Sequence, residues 1–188
     1  MIVAPGDSAG GRWVATSFPA EGKIPWTSVA AWQECQLSLQ KTLTASRSDL
    51  GEALALAARI AHRYELAGDL FEEITENTCA VCPYPCCLDA RVWLDFKDLL
   101  LLHLNAQPPP PAQLRQEWRE SCRYLTDQGC VLPRMARPWV CTWYVCRDQR
   151  RVLQREIPGG PERIGRWWPE IAILRNRMEK AFVTAARR

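Results

Sequence analysis

The sequence lacks any apolar run long enough to cross a lipid bilayer. A spanning helix needs about 18 or more apolar residues in a row, and the most apolar stretch, DLLLLHLN at 98–105, is far shorter. The start, MIVAPGDSAGG, also lacks the basic and then apolar segments of a secretory signal peptide. We therefore expect a cytoplasmic protein that does not enter a membrane, in a compartment where thiols stay reduced.

Histidine is scarce, and the motifs of common enzymes are missing. The chain has 2 histidines, His62 and His103, and neither has a second ligand at helical spacing, so we read both as packed or surface residues. No serine nucleophile elbow, P-loop or zinc-protease helix motif is present in the sequence. No catalytic residue is predicted, and whether the chain is an enzyme stays open.

The net charge is small but unevenly distributed. It is +3 overall, with 10 acidic against 4 basic residues in 49–98 and 5 acidic against 11 basic residues in 147–188. The basic end has the ingredients of a nucleic-acid surface, arginines beside Trp167 and Trp168, and these arginines are Arg147, Arg150, Arg151, Arg155, Arg163, Arg166, Arg175 and Arg177. No recognised binding motif accompanies them. Nucleic acid is therefore the less favoured partner; a protein partner stays open, and none is identified.

Hydrophobic periodicity predicts a mainly α fold with a sizeable core, since 47% of the residues are hydrophobic. Residues 28–45 and about 50–76 have the apolar spacing of two amphipathic helices, and the short break between them predicts an antiparallel helical hairpin. Asp95 is expected to cap a helix near 96–105. Residues 112–125 are expected to form a further short helix.

The C-terminal part is expected to be a turn followed by a helix. IPGGP at 157–161 indicates the turn, and Pro169 fits the first turn of a helix at about 169–187. One globular domain is expected overall, with four regions: an irregular N-terminal arm (1–27), a helical hairpin (28–76), a cysteine-cluster region (77–148) and a basic C-terminal helix (149–188).

Cysteine is abundant and concentrated. The chain has 9 cysteines, and 8 of them fall within residues 79–146, namely Cys79, Cys82, Cys86, Cys87, Cys122, Cys130, Cys141 and Cys146. A disulfide scaffold would explain the density but needs an oxidising compartment and usually a smaller chain. In a reducing compartment the same density favours metal binding. The ninth, Cys35, shares a predicted helix face with Trp32 and Leu39 and is expected to be a packed core thiol.

The segment TCAVCPYPCC at 78–87 has the spacing of a thiolate metal site. A Cys-x2-Cys turn lets the thiolates of Cys79 and Cys82 converge on one soft ion while backbone amides point at the sulfurs. Pro83 and Pro85 stiffen the loop and limit the entropy lost on closing it. Four thiolates suit zinc and iron–sulfur clusters alike, so the spacing does not decide between them.

The adjacent pair Cys86-Cys87 leaves the number of centres open. Neighbouring side chains in an extended segment point in opposite directions, so one of the two is a ligand and the other packed, or each serves a different centre. Eight thiolates could hold two four-cysteine centres. A single centre would use Cys79, Cys82, one of the adjacent pair, and the closing pair Cys141 and Cys146. Two further cysteines would then complete a second site or exchange into the first, and they are Cys122 and Cys130.

The cysteine pattern resembles the YkgJ-like cysteine-cluster family of zinc- or iron-chelating domains. That family has a Cys-x2-Cys-x3-Cys-Cys block, then a cysteine shortly before a leucine, a Gly-Cys, an Arg-Pro and two closing cysteines. The later positions fall here on Cys122 with Leu125, Gly129-Cys130, Arg137-Pro138, Cys141 and Cys146. The match covers about 68 of the 188 residues and includes every signature position.

The resemblance implies a metal-binding domain whose biochemical role is uncharacterised. One relative with the same cysteine block looks like flagellin lysine N-methylase, and that likeness implies an iron–sulfur cluster and S-adenosylmethionine. This chain is too short for that enzyme's additional parts, and its sequence lacks a glycine-rich S-adenosylmethionine loop and the Cys-x3-Cys-x2-Cys spacing of radical enzymes. The methylase activity is therefore not carried over.

We expect a mainly α protein in which a helical hairpin and a C-terminal helix pack around a loop-rich, cysteine-ligated metal centre. The expected function is the binding of zinc or an iron–sulfur cluster by the eight clustered cysteines. The alternatives are an iron–sulfur redox or protein-modifying enzyme and a zinc-structured module that binds a partner or nucleic acid. Arg137 is either a surface residue of a rigid turn or a support that donates to a carbonyl or a sulfur and offsets thiolate charge.

Overall fold

The structure is a computed structural model that describes residues 3–5, 13–15, 24–76, 78–127 and 129–188. Helices dominate these ranges, which confirms the mainly α prediction, and they are α1 (Val29–Ala45), α2 (Gly51–Glu76), α3 (Phe96–Leu104), α4 (Trp139–Trp143), α5 (Arg147–Glu156) and α6 (Gly160–Ala185). Two antiparallel strand pairs accompany them, β1 (Val3–Pro5) with β2 (Trp13–Ala15) and β3 (Leu125–Thr126) with β4 (Gly129–Cys130). Most of the predicted N-terminal arm, 1–27, lies outside the described residues.

Two long helices, α2 and α6, form the frame of the molecule. Each has 26 residues, and they pack along each other. They run antiparallel, because Arg177 of α6 lies 3.7 Å from Glu52 at the start of α2, while Arg63, further along α2, pairs with Glu170 at 2.9 Å. No helix within the described ranges is both long and apolar enough to span a bilayer.

Helix α1 does not form the predicted hairpin with α2. It begins after Ser28, whose hydroxyl oxygen accepts from the backbone of Ala31 at 3.1 Å. Its buried side chains are Trp32 and Leu39, and the indole nitrogen of Trp32 donates to the carbonyl of Pro110 at 3.0 Å. Both helices lie wholly within the described residues, yet α1 contacts α3 rather than packing along α2. The hairpin prediction is wrong because the apolar face of α2 packs against α6 instead of α1.

Helix α3 lies at the centre of the packing. Its predicted cap is confirmed: the carboxylate of Asp95 accepts from the backbone of Asp98 at 2.8 Å, and the carboxylate of Asp98 accepts from the backbone of Asp95 at 3.0 Å. The four leucines from Leu99 to Leu102 are all buried. Four consecutive residues point in all directions around a helix, and α1, α2 and α6 pack against this one.

The helix predicted over 112–125 is wrong. The side-chain oxygen of Gln113 accepts from the backbone of Leu94 at 2.8 Å and of Leu114 at 3.0 Å. Further on, the carboxylate of Glu120 accepts from the backbones of Gln116 and Glu117 at 2.7 and 3.1 Å. Side chains therefore take the backbone donors that a helix would need, and the segment stays irregular.

The basic C-terminal region contains two helices rather than one. The turn predicted at 157–161 is confirmed, because Gly159 has a φ of 68° and separates α5 from α6. Helix α6 starts at Gly160, well before the predicted start near Pro169, which lies inside it. An interior proline costs about 3 kcal/mol, and the burial of Ile164, Trp167 and Trp168 against the core outweighs that cost.

Candidate metal centre

The first cysteine block lies directly after α2. The hydroxyl of Thr78 donates to the carbonyl of Ile74 at 2.6 Å and extends the helix end. Cys79 then opens a 3₁₀ turn, Cys79–Val81. The amide of Cys82 donates to the carbonyl of Cys79 at 3.3 Å. The two cysteines are thus the ends of one tight turn, the geometry that the Cys-x2-Cys spacing favours.

The downstream cysteines lie on short elements. Cys122 precedes β3, and Cys130 is the last residue of β4. Cys141 lies inside α4, and Cys146 is the N-cap of α5, where its sulfur accepts from the backbone of Gln149 at 3.4 Å. The ligand candidates therefore come from loops, a hairpin, the short helix α4 and the start of α5, not from the faces of the long helices.

All nine cysteines are free thiols. Cys86 is exposed, and the others are partly buried. Cys35 lies on α1 against the hydrophobic core, as expected, and burial raises the pKa of its thiol. Free, partly buried thiols are the form from which a metal site can be built, since ligation removes their protons.

A first group of thiols surrounds Cys79. Burial raises the pKa of Cys79, and negative charge on Cys146, Cys87 and Cys82 raises it further. The pKa of Cys86 is raised by its hydrogen bond to Cys87, then by burial, and then by the charges of Cys87, Cys146 and Cys79. Such charge effects require neighbouring sulfurs. Cys79, Cys82, Cys86, Cys87 and Cys146 therefore belong to one neighbourhood.

A second group surrounds Cys141. Burial raises the pKa of Cys141 well above its ordinary value, followed by the charges of Cys87, Cys130 and Cys122. Burial also raises the pKa of Cys122, and the nearby thiols that add to this are Cys130 and Cys87. The fold thus places Cys141 with the hairpin cysteines, while Cys146 lies with the first block. Cys87 acts on both Cys79 and Cys141, so the two groups adjoin at this residue.

The pair Cys86-Cys87 lies in a turn rather than an extended segment. The amide of Ala90 donates to the carbonyl of Cys86 at 2.9 Å and closes the turn. The premise of an extended segment therefore does not hold here, and a hydrogen bond between the two thiols raises the pKa of Cys86. That hydrogen bond lowers the pKa of Cys87, burial opposes it, and the charge of Arg137 lowers the pKa further.

Gln149 is a site residue that the sequence did not reveal. Its side chain is buried, and its amide nitrogen donates to the sulfur of Cys79 at 3.3 Å. Its amide oxygen accepts from the backbone of Cys146 at 3.0 Å, and its backbone N–H donates to the sulfur of Cys146. One glutamine therefore connects the first and the last clustered cysteine. No spacing rule identifies a glutamine in this role.

Arg115 is a buried cation beside the second group. Its guanidinium is fully buried and donates to the carbonyls of Ala90 and Glu120. Burial lowers the pKa of Arg115, and negative charge at Cys122 and Cys141 opposes this. Its Nε atom is buried with no hydrogen-bond partner among the described residues. A cluster of thiolates beside it would supply the missing negative acceptor.

Arg137, the predicted supporting residue, lies between the hairpin and α4. Its Nε atom donates to the carbonyl of Leu132 at 2.9 Å, and its charge acts on Cys87. These contacts correspond to the supporting role, in which the arginine fixes a loop through a carbonyl and offsets thiolate charge.

Helix α4, which carries Cys141, is tied to the core through Asp98. One carboxylate oxygen of Asp98 accepts from the backbone of Trp139 at 3.0 Å and from Arg175 at 2.7 Å. The ring of Trp139 stacks on that of Tyr64, with centroids 6.2 Å apart. Burial raises the pKa of Asp98 to about 7, and the charge of Arg175 opposes this. The helix that carries Cys141 is therefore anchored to a buried ion pair of the core.

The basic C-terminal surface is smaller than the sequence indicates. Arg175 is buried and paired with Asp98, and Trp168 is also buried. Arg163 lies over the ring of Trp167, 5.0 Å from its centroid. The exposed arginines of this region include Arg147, Arg150, Arg151, Arg155 and Arg166. The adjacent tryptophans do not present free stacking faces to a nucleic acid.

The thiols are not arranged as a set of metal ligands. Among the described residues, no group of three or more His, Cys, Asp or Glu side chains is placed so that it could hold an ion. The donor chemistry nevertheless fits a soft ion, because the thiols are free and the Nε atom of Arg115, beside Cys122 and Cys141, is buried without a partner among the described residues. The two histidines lie elsewhere: His62 is 3.7 Å from Glu65, and His103 is 2.6 Å from Gln36.

Comparison with known protein families, curated proteins and solved structures found no match to this chain. The resemblance to the cysteine-cluster family therefore stays a prediction that rests on the residues alone.

Proposed function

We propose that this chain is a metal-binding protein that holds zinc or an iron–sulfur cluster through its eight clustered cysteines. The carrying observation is that one buried residue, Gln149, is hydrogen-bonded to the sulfurs of both Cys79 and Cys146, which lie far apart in the sequence. Because metal ligation needs reduced thiols, the proposal includes a reducing compartment such as the cytoplasm.

The protein's own residues would orient and neutralise the site. Gln149 donates to the sulfurs of Cys79 and Cys146. Arg115 and Arg137 place positive charge near Cys122, Cys141 and Cys87. Donors and cations of this kind offset the charge that several thiolates accumulate. Zinc would supply folding energy to the loops, and a cluster would supply an electron-transfer centre.

The test is metal content after purification without oxygen. Elemental mass spectrometry, together with an assay for sulfide, is expected to find zinc, or iron with matching sulfide, in the wild-type chain. The double variant Cys79→Ser/Cys141→Ser should lose this metal, and Cys35→Ser, which removes a thiol outside the cluster, should keep it. A reduced protein that takes up neither zinc nor iron and sulfide contradicts the proposal.

The identity of the metal separates the possible roles. Zinc without iron favours a module whose cysteine loops are shaped to bind a protein partner. Iron and sulfide favour a redox or protein-modifying enzyme, and oxygen-dependent bleaching of the protein would be the accompanying observation.

A further inference from the structure

A groove lies where the end of α1, the start of α2 and the end of α3 meet. Its volume is about 550 Å³, and pockets that hold small organic ligands usually measure about 300–1,000 Å³. None of the described residues that line it is a cysteine. A ligand of this groove would therefore be independent of the proposed metal-binding function.

Leucines from all three sides form an apolar wall in the groove. They are Leu43 of α1, Leu50 and Leu54 around the start of α2, and Leu104, the last residue of α3. Leu54 is 42% exposed, and Leu43 and Leu104 are half-buried. Apolar surface that is removed from water stabilises a complex in proportion to its area. An alkyl chain along these leucines is therefore a favourable occupant.

Arg47 supplies the charge of the groove. It lies in the 3₁₀ turn between α1 and α2 and is exposed, and the described residues that line the groove with it include no carboxylate. None of the ion pairs between described residues includes Arg47. A guanidinium is a strong partner for a carboxylate. The charge of the groove is thus complementary to an anionic head group.

His103 leaves the rest of the lining neutral. Its Nε2 atom lies 2.6 Å from the side-chain oxygen of Gln36, and this contact fixes the ring at the wall of the groove. Burial lowers the pKa of His103, which favours the uncharged ring near pH 7. The other polar residues of the lining are uncharged, and they are Gln40, Thr44 and Gln107. The described lining therefore combines one positive charge with an apolar wall.

We propose that this groove binds a medium-chain fatty acid, with its carboxylate at Arg47 and its alkyl chain along Leu43, Leu54 and Leu104. A ligand with one negative charge matches the one cation of the described lining. Its hydrocarbon tail covers the leucines that are left partly exposed.

The test is titration of the full chain with decanoate, kept below its micelle concentration and followed by isothermal titration calorimetry. The wild type is expected to bind about one decanoate per chain. Decylammonium has the same alkyl chain with a positive head group and should bind at least about 10-fold more weakly. No saturable binding of decanoate overturns the proposal, and equal binding of decylammonium overturns the assigned head group.

The contact with the head group is tested by removing the cation. Arg47→Gln should weaken decanoate binding about 10-fold, because a hydrogen bond to a charged group is lost. Arg59→Gln removes an exposed arginine of α2 that is outside the described lining, and it should bind decanoate as the wild type does. Equal affinity in Arg47→Gln and the wild type overturns the contact.

The contact with the alkyl chain is tested by a matched pair of variants. Leu54 and Leu66 both lie on α2 and are both 42% exposed, but of the two only Leu54 is in the described lining. Leu54→Glu places a carboxylate beside the alkyl chain and should weaken decanoate binding by more than about 10-fold. Leu66→Glu should match the wild type. Equal affinity in these two variants overturns the site.

A wild-type measurement removes the risk that a variant fails to fold. A decanoic acid that carries a diazirine is photocrosslinked to the protein, and the labelled positions are identified by mass spectrometry. Labels are expected within 40–54 and 103–108, and excess decanoate should suppress them. Labels that fall mainly elsewhere overturn the site.

A second copy of the chain is the competing occupant of the leucine wall. Analytical ultracentrifugation of the ligand-free wild type is expected to show a monomer at the concentrations of the titration. A dimer that Leu54→Glu dissociates and Leu66→Glu does not would assign the groove to that second copy and overturn the proposal.

Discussion

Gln149 and Cys79 lie 70 positions apart in the chain, yet the side-chain amide of Gln149 is 3.3 Å from the sulfur of Cys79. The same residue closes the capping box of α5 with Cys146. A buried amide thereby connects the end of α2 to the start of α5. An ion bound between these two sulfurs would therefore contact both helix ends.

Replacing Gln149 with alanine is expected to weaken metal binding. A hydrogen bond to a charged acceptor is worth about 1.5–3 kcal/mol, and the loss of such supporting donors lowers metal affinity about 10- to 100-fold. Competition with a chelator of known zinc affinity measures the change. Gln154→Ala, an exposed position on the same helix, is the control and should match the wild type. Unchanged affinity in Gln149→Ala would show that the contact does not support a ligand.

Replacing Arg175 with methionine is expected to destabilise the fold. The guanidinium of Arg175 lies 2.7 Å from the carboxylate of Asp98, and the two side chains are only 3% and 5% exposed. Removing the arginine leaves a buried, unpaired carboxylate, which costs about 3–5 kcal/mol. Urea denaturation measures the loss. Arg177→Met, which removes an exposed arginine 3.7 Å from Glu52, should change the stability by less than about 0.5 kcal/mol.

The loss in Arg175→Met should depend on pH with a defined sign. Burial raises the pKa of Asp98 to about 7 in the wild type, against the opposing charge of Arg175, and without that charge the pKa rises further. Above the ordinary aspartate pKa of about 4, the folded variant binds more protons than its unfolded chain, so its stability falls as the pH rises. The deficit relative to the wild type should be larger at about pH 8 than at about pH 5. A deficit that grows on acidification would contradict this.

Two glycines of α6 should respond in opposite directions to alanine. A Cβ at Gly160 would lie 2.8 Å from Cδ1 of Leu153 and 3.2 Å from the Leu153 carbonyl oxygen, so Gly160→Ala should lose about 1–3 kcal/mol. A Cβ at Gly165 would meet nothing within 4 Å, and Gly165→Ala should gain about 0.5–1 kcal/mol from helix propensity. Thermal or urea midpoints compare them, and a stabilised Gly160→Ala would refute the close packing of α5 on α6.

Removing the metal is expected to loosen the cysteine region before the helical frame. Binding by loop-rich segments is coupled to their ordering, whereas α2 and α6 are held by apolar packing. Limited trypsin digestion with and without a chelator measures this, and new cleavage is expected at the exposed Arg119 and Arg123. Identical digestion patterns would mean that these loops are ordered without the ion.

The long helices and the central cap were predictable because local signals agree with the packing. The apolar spacing of α2 matches its contact with α6, and Asp95 followed by Asp98 gives both halves of a capping box. Helix α5 was missed because it buries only Gln149 and Leu153 and is capped by a cysteine. Its sequence has almost no apolar periodicity, so tertiary contacts determine its structure.

The candidate ligands were predictable from cysteine spacing, but their arrangement was not. Spacing places Cys79 and Cys82 on one turn, and the structure agrees. It cannot show that Cys141 lies with the hairpin cysteines, because α4 is positioned by the bond from Trp139 to Asp98. Gln149 and Arg115 were hidden for the same reason: buried polar side chains act through partners that are distant in the sequence.

The antiparallel packing of α2 and α6 has a consequence for how an ion would be captured. Every clustered cysteine lies in the segment of chain between these two helices. The packing of α2 on α6 therefore holds the two ends of this segment together, and it already includes the entropy cost of bringing them together. Each thiol then meets the others at a high effective concentration, so an ion that binds has only the loops between the two helices left to order.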